Sequence, residues 1–141
     1  MKINRPLFIV AILSAVFLGG CQGERITGFE KATDDGQWRF DGTLIRSYNV
    51  TLTQAYDSAL KLAKSKHWIV SETDSGEYKA HITARTVEHV KITFDIWAPP
   101  NKATDIGIGY GGATGDKIGS THVFDDLERV LPGKRITVNK P

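Results

Sequence analysis

Three stretches in the second half of the chain alternate apolar and polar residues with a period of two, and this alternation sets most of what the chain can become. Tyr78, Ala80, Ile82 and Ala84 alternate with Glu77, Lys79, His81, Thr83 and Arg85. Val90, Ile92, Phe94, Ile96 and Ala98 alternate with Lys91, Thr93, Asp95 and Trp97, and Ile106, Ile108 and Tyr110 with Asp105, Gly107 and Gly109. Successive side chains of a strand point to opposite faces, so each stretch buries one face and wets the other. The connections, such as "PPNK", are too short for crossovers, which makes neighbours antiparallel. "HWIVSE", closed by the turn signal "TDSG" between Glu72 and Glu77, is one more strand. "WRFDGTLIRSYNV" reads as a first strand, with Gly42 at a candidate bulge.

Two segments carry a helical period instead. In "TLTQAYDSALKLAKSK", Thr51 and Gln54 fit a capping box, and Leu52, Ala55, Tyr56, Ala59, Leu60 and Ala63 form an apolar stripe. In "THVFDDLERVL", Val123, Phe124, Leu127, Val130 and Leu131 form a second stripe, with Ser120 as the expected cap and Pro132-Gly133 as the stop. Two amphipathic helices and a sheet wet on one side predict an α+β two-layer sandwich: an antiparallel sheet with two helices on one face, in the order β-α-β-β-β-β-α. "RITVN" near the end either adds a short strand or trails.

The start of the chain has a different character. Lys2 and Arg5 precede the apolar run "PLFIVAILSAVFL", which is too short to span a bilayer comfortably. Gly19, Gly20 and the chain's single cysteine, Cys21, follow. The order Leu18-Gly19-Gly20-Cys21 resembles the bacterial lipobox. That resemblance implies cleavage before Cys21 and alkylation of its thiol with diacylglycerol, a membrane anchor that needs no transmembrane helix. A lone cysteine forms no disulfide within the chain, and lipidation would remove a thiol exposed to an oxidising compartment. Gln22 stands where related lipoproteins of the inner membrane commonly carry Asp, so the resemblance favours the outer membrane, facing the periplasm. The expected organisation is a signal peptide over 1–20, a polar lipidated tether over 21–37, the α+β domain over 38–132 and a tail over 133–141.

Charge narrows the choice of partners. The net charge is +2, but Lys2 and Arg5 lie in a leader without acids, and from Cys21 onward 16 basic residues balance 16 acidic ones. Such a neutral domain lacks the basic footprint of a nucleic-acid binder.

The run from "DGTLIRSYNVTLTQAYDSALKLA" through "VKITFDIWAPPNKATDIGIGYGGATGD" to the helix at Ser120 resembles a family of short bacterial lipoproteins of unknown function, over roughly residues 40 to 131. That resemblance implies the sandwich and brings no activity with it.

Three sets of residues stand out as candidate sites. Gly107-Ile108-Gly109-Tyr110-Gly111-Gly112 matches GxGxxG, but it ends an antiparallel strand instead of opening a βαβ unit, so strand glycines and a loop are the simpler reading. Backbone amides ahead of the last helix, with Lys117, Gly119 and Ser120, form a candidate anion site. His67, His81, His89 and His122 show no metal-ligand spacing and accompany no nucleophile motif, so no metal, cofactor or catalytic residue is assigned. Trp97 falls on the wet parity of its strand with Lys79, His81 and Asp95; it is either part of an interaction face or covered by the tether or the tail. A hairpin centred on Val87 places Lys79 across from Asp95, whereas one centred on Glu88 places His81 there. The expectation is a lipid-anchored, non-catalytic module that binds an envelope protein or polymer through its open sheet face. A small-ligand or anion-binding lipoprotein using the Gly-rich loop is the alternative.

Overall fold

The computed structural model describes residues 36–137. The expected signal peptide over 1–20, Cys21 and the part of the expected tether before Gly36 lie outside the described residues. The elements are β1 (Gln37–Trp38), β2 (Thr43–Tyr48), α1 (Leu52–Ser65), β3 (Ile69–Ser75), β4 (Lys79–Arg85), β5 (Lys91–Trp97), β6 (Thr104–Tyr110) and α2 (Lys117–Glu128). They form one antiparallel sheet in the order β1-β2-β6-β5-β4-β3, with α1 and α2 on one face. The predicted two-layer α+β sandwich is what the chain adopts. The meander runs from β3 to β6, and the first strand closes against the last, β2 pairing with β6 from Thr43↔Gly109 to Tyr48↔Thr104.

The first strand is not continuous. Gly42, at φ +79, makes a turn instead of a bulge: Arg39 N–H donates to Thr43 C=O (2.9 Å), Gly42 N–H to Arg39 C=O (3.0 Å) and Thr43 N–H to the Asp41 carboxylate (3.1 Å). A positive φ at this point is what glycine permits without strain. Its second role is steric, because the turn crosses Gly115 of the loop before α2. A Cβ on either glycine would lie inside contact distance of the other's backbone. The "DG" of the first strand and the "TGD" of the Gly-rich loop are therefore two halves of one crossing.

The turn after β3 also falls later than its sequence signal. Thr73, Asp74 and Ser75 continue the strand to Ser75↔Ala80, and the chain reverses over Gly76–Tyr78. All seven β3 residues are exposed, and a register shift at Ser71, with Glu72 and Asp74 beyond it, marks the strand as a sheet edge. On the opposite side, Asn49 N–H donates to Lys134 C=O and Ile136 N–H to Ser47 C=O, with a bridge between Tyr48 and Arg135. Of "RITVN", Arg135 and Ile136 thus pair along the lower part of the β2 edge, and Val138 and Asn139 lie outside the described residues.

Both helices lie over the sheet by the predicted logic, with one rotation. The Thr51–Gln54 capping box is present, Gln54 N–H donating to Thr51 Oγ1 and Thr51 N–H to Gln54 Oε1. The buried stripe of α1, however, is Ala55, Ser58, Ala59, Leu62 and Ala63; Leu52, Tyr56 and Leu60 flank it. Small residues here let the helix lie close on β4 and β5, whose Ile82, Phe94 and Ile96 belong to the same core. Past the end of α1 and its cap at Lys66, His67 at φ 56 makes the reversal usually given to glycine, with Trp68 N–H donating back to Ala63 C=O. In α2, Val123, Phe124 and Leu127 face the sheet as expected, but the cap is Asp116, whose carboxylate accepts from Ile118 N–H (2.9 Å). Ser120 is instead a fully buried helix residue whose hydroxyl has no partner among the described residues.

Candidate functional site: the open face of the sheet

Strand register lays out the face away from the helices as cross-strand rows. One row runs Ile45, Gly107, Asp95, His81, Asp74; the next runs Ser47, Asp105, Trp97, Lys79. A third, Thr43, Gly109, Thr93, Thr83, Glu72, closes the floor. At Gly107 and Gly109, β6 carries no side chain between β2 and β5 on this face. A groove of about 390 Å3 lies on it, lined by Thr43, Gly107, Trp97, His81 and Asp105 among others. The glycines suit their neighbours: a Cβ on Gly109 would stand 2.6 Å from Thr93 Oγ1, and one on Gly107 3.0 Å from Thr43 Cγ2. The GxGxxG match is thus strand glycine followed by loop, as its antiparallel setting implied.

All four residues expected on the interaction face come together here. The hairpin is centred on Glu88, so His81 and not Lys79 lies across from Asp95. His81 Nδ1 is 2.7 Å from Asp95 Oδ1, and its Nε2 is 2.8 Å from Thr83 Oγ1. A neutral ring satisfies both contacts with its proton on Nδ1 and the Thr83 hydroxyl donating to Nε2. The order carboxylate, imidazole, hydroxyl is that of a nucleophilic relay. Thr83, however, is only 6% exposed and its hydroxyl points at the ring. In this geometry the chain orients His81 and does not present a nucleophile. The pair is worth about 1 kcal/mol or less at this exposure.

Trp97 is 47% exposed. Asp105 lies across from it on β6 and Lys79 on β4, and Asp95 precedes it by two on the same face. Ser47 Oγ donates to Asp105 Oδ1 (2.5 Å). Asp74 and Lys79 carry no ion pair among the described residues, whereas Arg39, at the rim, is held by Asp41 at 3.1 Å. No helix among the described residues is long and apolar enough to cross a membrane, and no group of three or more His, Cys, Asp or Glu among them is placed to hold a metal.

The candidate anion site has a different geometry from the one its sequence suggests. The Asp116 carboxylate accepts from Ile118 N–H, one of the free amides at the start of α2 to which an anion would bind. Gly119 packs against the Tyr110 ring, and Ser120 is buried away from solvent. Lys117 lies on a shallow surface with Ile118, Thr121 and His122. These three residues do not converge on one point.

The sequence did not single out a polar cluster on the helix side. Arg46, 4% exposed, points inward from β2, 3.1 Å from Glu128 Oε1 and 3.7 Å from Asp125 Oδ1, with its guanidinium 4.7 Å from the centre of the Phe124 ring. Tyr48 donates to the same Glu128 carboxylate at 2.6 Å. Burial first, then Glu128, hold the Tyr48 hydroxyl well above the ordinary phenol range. Arg46 bridges the Glu128 and Asp125 carboxylates, and with the Tyr48 hydroxyl it fastens α2 to β2. The one sequence signal for it was an arginine on the apolar parity of its strand.

No curated protein matches the chain. Residues 6–129, most of its length, match the family described as protein of unknown function (DUF3568), and the chain belongs to that family.

Proposed function

We propose that this protein is a lipid-anchored lipoprotein of the cell envelope, held at the outer membrane through Cys21, whose domain is a non-catalytic module binding an envelope protein or polymer through the open sheet face. The observation that carries the binding role is the half-exposed Trp97 in a concave groove whose carboxylates are only partly matched by neighbouring cations. A large aromatic left in water is costly unless a partner covers it, and aromatics at the centre of a patch supply much of the energy of binding. The lipid anchor is supported by the lipobox-like order at Cys21 and by the extent of the family match. That match begins at Pro6, so the apolar run and Cys21 lie within the matched residues. Helices cover one face of the sheet, which leaves the other free for a partner while the tether holds the domain near the membrane.

The test pairs a pull-down from envelope extracts with a melting curve for Trp97→Ala. Loss of the partner at unchanged melting temperature is the expected result. A large loss of stability with capture intact would show that Trp97 is structural, and the binding role would fall.

A further inference from the structure

The groove's own chemistry narrows the partner. Resting on the open face as the binding surface, we infer that the group it takes is cationic: the ammonium or guanidinium of a lysine or arginine on a partner protein, seated on the Trp97 indole between Asp95 and Asp105. Asp105 stands across from Trp97 on β6, and Asp95 stands two residues before it on the same face of β5. Each has one oxygen engaged, Asp95 Oδ1 by His81 and Asp105 Oδ1 by Ser47, which leaves the second oxygen of each for a ligand. Asp74 adds a third carboxylate in the row of His81. Against these three, the groove holds Lys79, and Arg39 already paired with Asp41. The groove therefore carries a surplus of negative charge around an exposed aromatic face. That combination suits a cation, which gains from the indole quadrupole and from charge-assisted bonds together. A neutral glycan could stack on the same indole, but its hydroxyls would not replace the hydration of ionised carboxylates. An acidic ligand would meet the three aspartates directly.

The experiment is calorimetric titration of the full chain, purified in detergent, with hexalysine, hexaglutamate and chitohexaose. Hexalysine alone is expected to bind, and to bind more weakly at 0.5 M than at 0.05 M salt, a range over which surface electrostatics is roughly abolished. Trp97→Ala should weaken it about fivefold, and Asp105→Asn should weaken it by a similar factor. Lys79→Glu should tighten it, an outcome that misfolding cannot imitate. Asp57→Asn, on the exposed side of α1, should leave it unchanged. Binding of chitohexaose in place of hexalysine overturns the inference, as does hexalysine binding that Asp57→Asn weakens as much as Asp105→Asn. Failure of hexalysine to bind, with Trp97→Ala still losing its partner from envelope extracts, would refute the cation and spare the open face as the binding surface. Groove-dependent hexalysine binding with no envelope partner would keep the cation site and refute the envelope partner of the proposed function.

Discussion

Replacing Gly115 by alanine perturbs the crossing that joins the first hairpin to the loop before α2. Gly115 has φ +60, and an alanine there loses roughly 1 kcal/mol to the left-handed backbone alone. The added methyl would also overlap the backbone of Gly42, which cannot swing aside as a flexible side chain could. Overpacking of that kind costs about 1–3 kcal/mol. The expected loss is thus roughly 2–4 kcal/mol, and at about 4–8 °C per kcal/mol for a domain near 100 residues the melting temperature should fall by roughly 8–30 °C. Circular dichroism of a thermal melt measures it. Gly112→Ala is the internal control, because a Cβ there meets nothing and φ is not positive; it should be neutral or slightly stabilising. Gly42→Ala with Gly115→Ala should cost less than the two singly, since opening the crossing once relieves both overlaps. A Gly115→Ala protein melting within about 3 °C of wild type, less than 1 kcal/mol on that scale, would refute the crossing.

Three further outcomes follow from the packing and the leader. Ser120→Ala should raise stability by about 1 kcal/mol in urea melts, because it removes a buried hydroxyl without a partner and places a better helix former in α2. The raised ionisation of Tyr48 means that its folded form keeps its proton where the unfolded chain, near pH 10, releases it. The associated stability is therefore complete below about pH 10 and declines above it; urea melts between pH 8 and 12 should show that decline, and Tyr48→Phe should reduce it. Cys21→Ser should abolish incorporation of a labelled acyl chain and leave a precursor or a soluble form, and label retained by this variant would contradict lipidation at Cys21.

How far the sequence carried the structure depended on whether a signal was local. The alternations of β4, β5 and β6 and the period of α2 named most of the core, because each strand or helix records its own buried face. The Thr51–Gln54 box was readable for the same reason: both its partners lie within one turn. In α1 the alanines fit more than one stripe, so choosing among Leu52, Leu60 and Leu62 required knowing how the helix sits on the sheet, and Leu62 proved central. Ser120 fitted a cap by composition, yet Asp116, nearer the true start, took that role. Non-local features were less visible. Lys79, His81, Asp95 and Trp97 share a face by parity alone, but Asp105 and Thr43 joined them only through the pairing of β2 and β5 with β6. The match of Gly42 to Gly115 likewise spans the chain, and neither glycine announces the other.

The central claim, that the open face is where this protein meets its partner, is tested most directly by photo-crosslinking in intact cells. A photoreactive aromatic amino acid, which keeps a ring in the groove, replaces Trp97 in one strain and Lys61, exposed on α1, in another. A discrete adduct from position 97, absent from position 61 and lost when Asp105→Asn is added, is the predicted result. Equal adducts from both positions, or an adduct from position 61 alone, would contradict it.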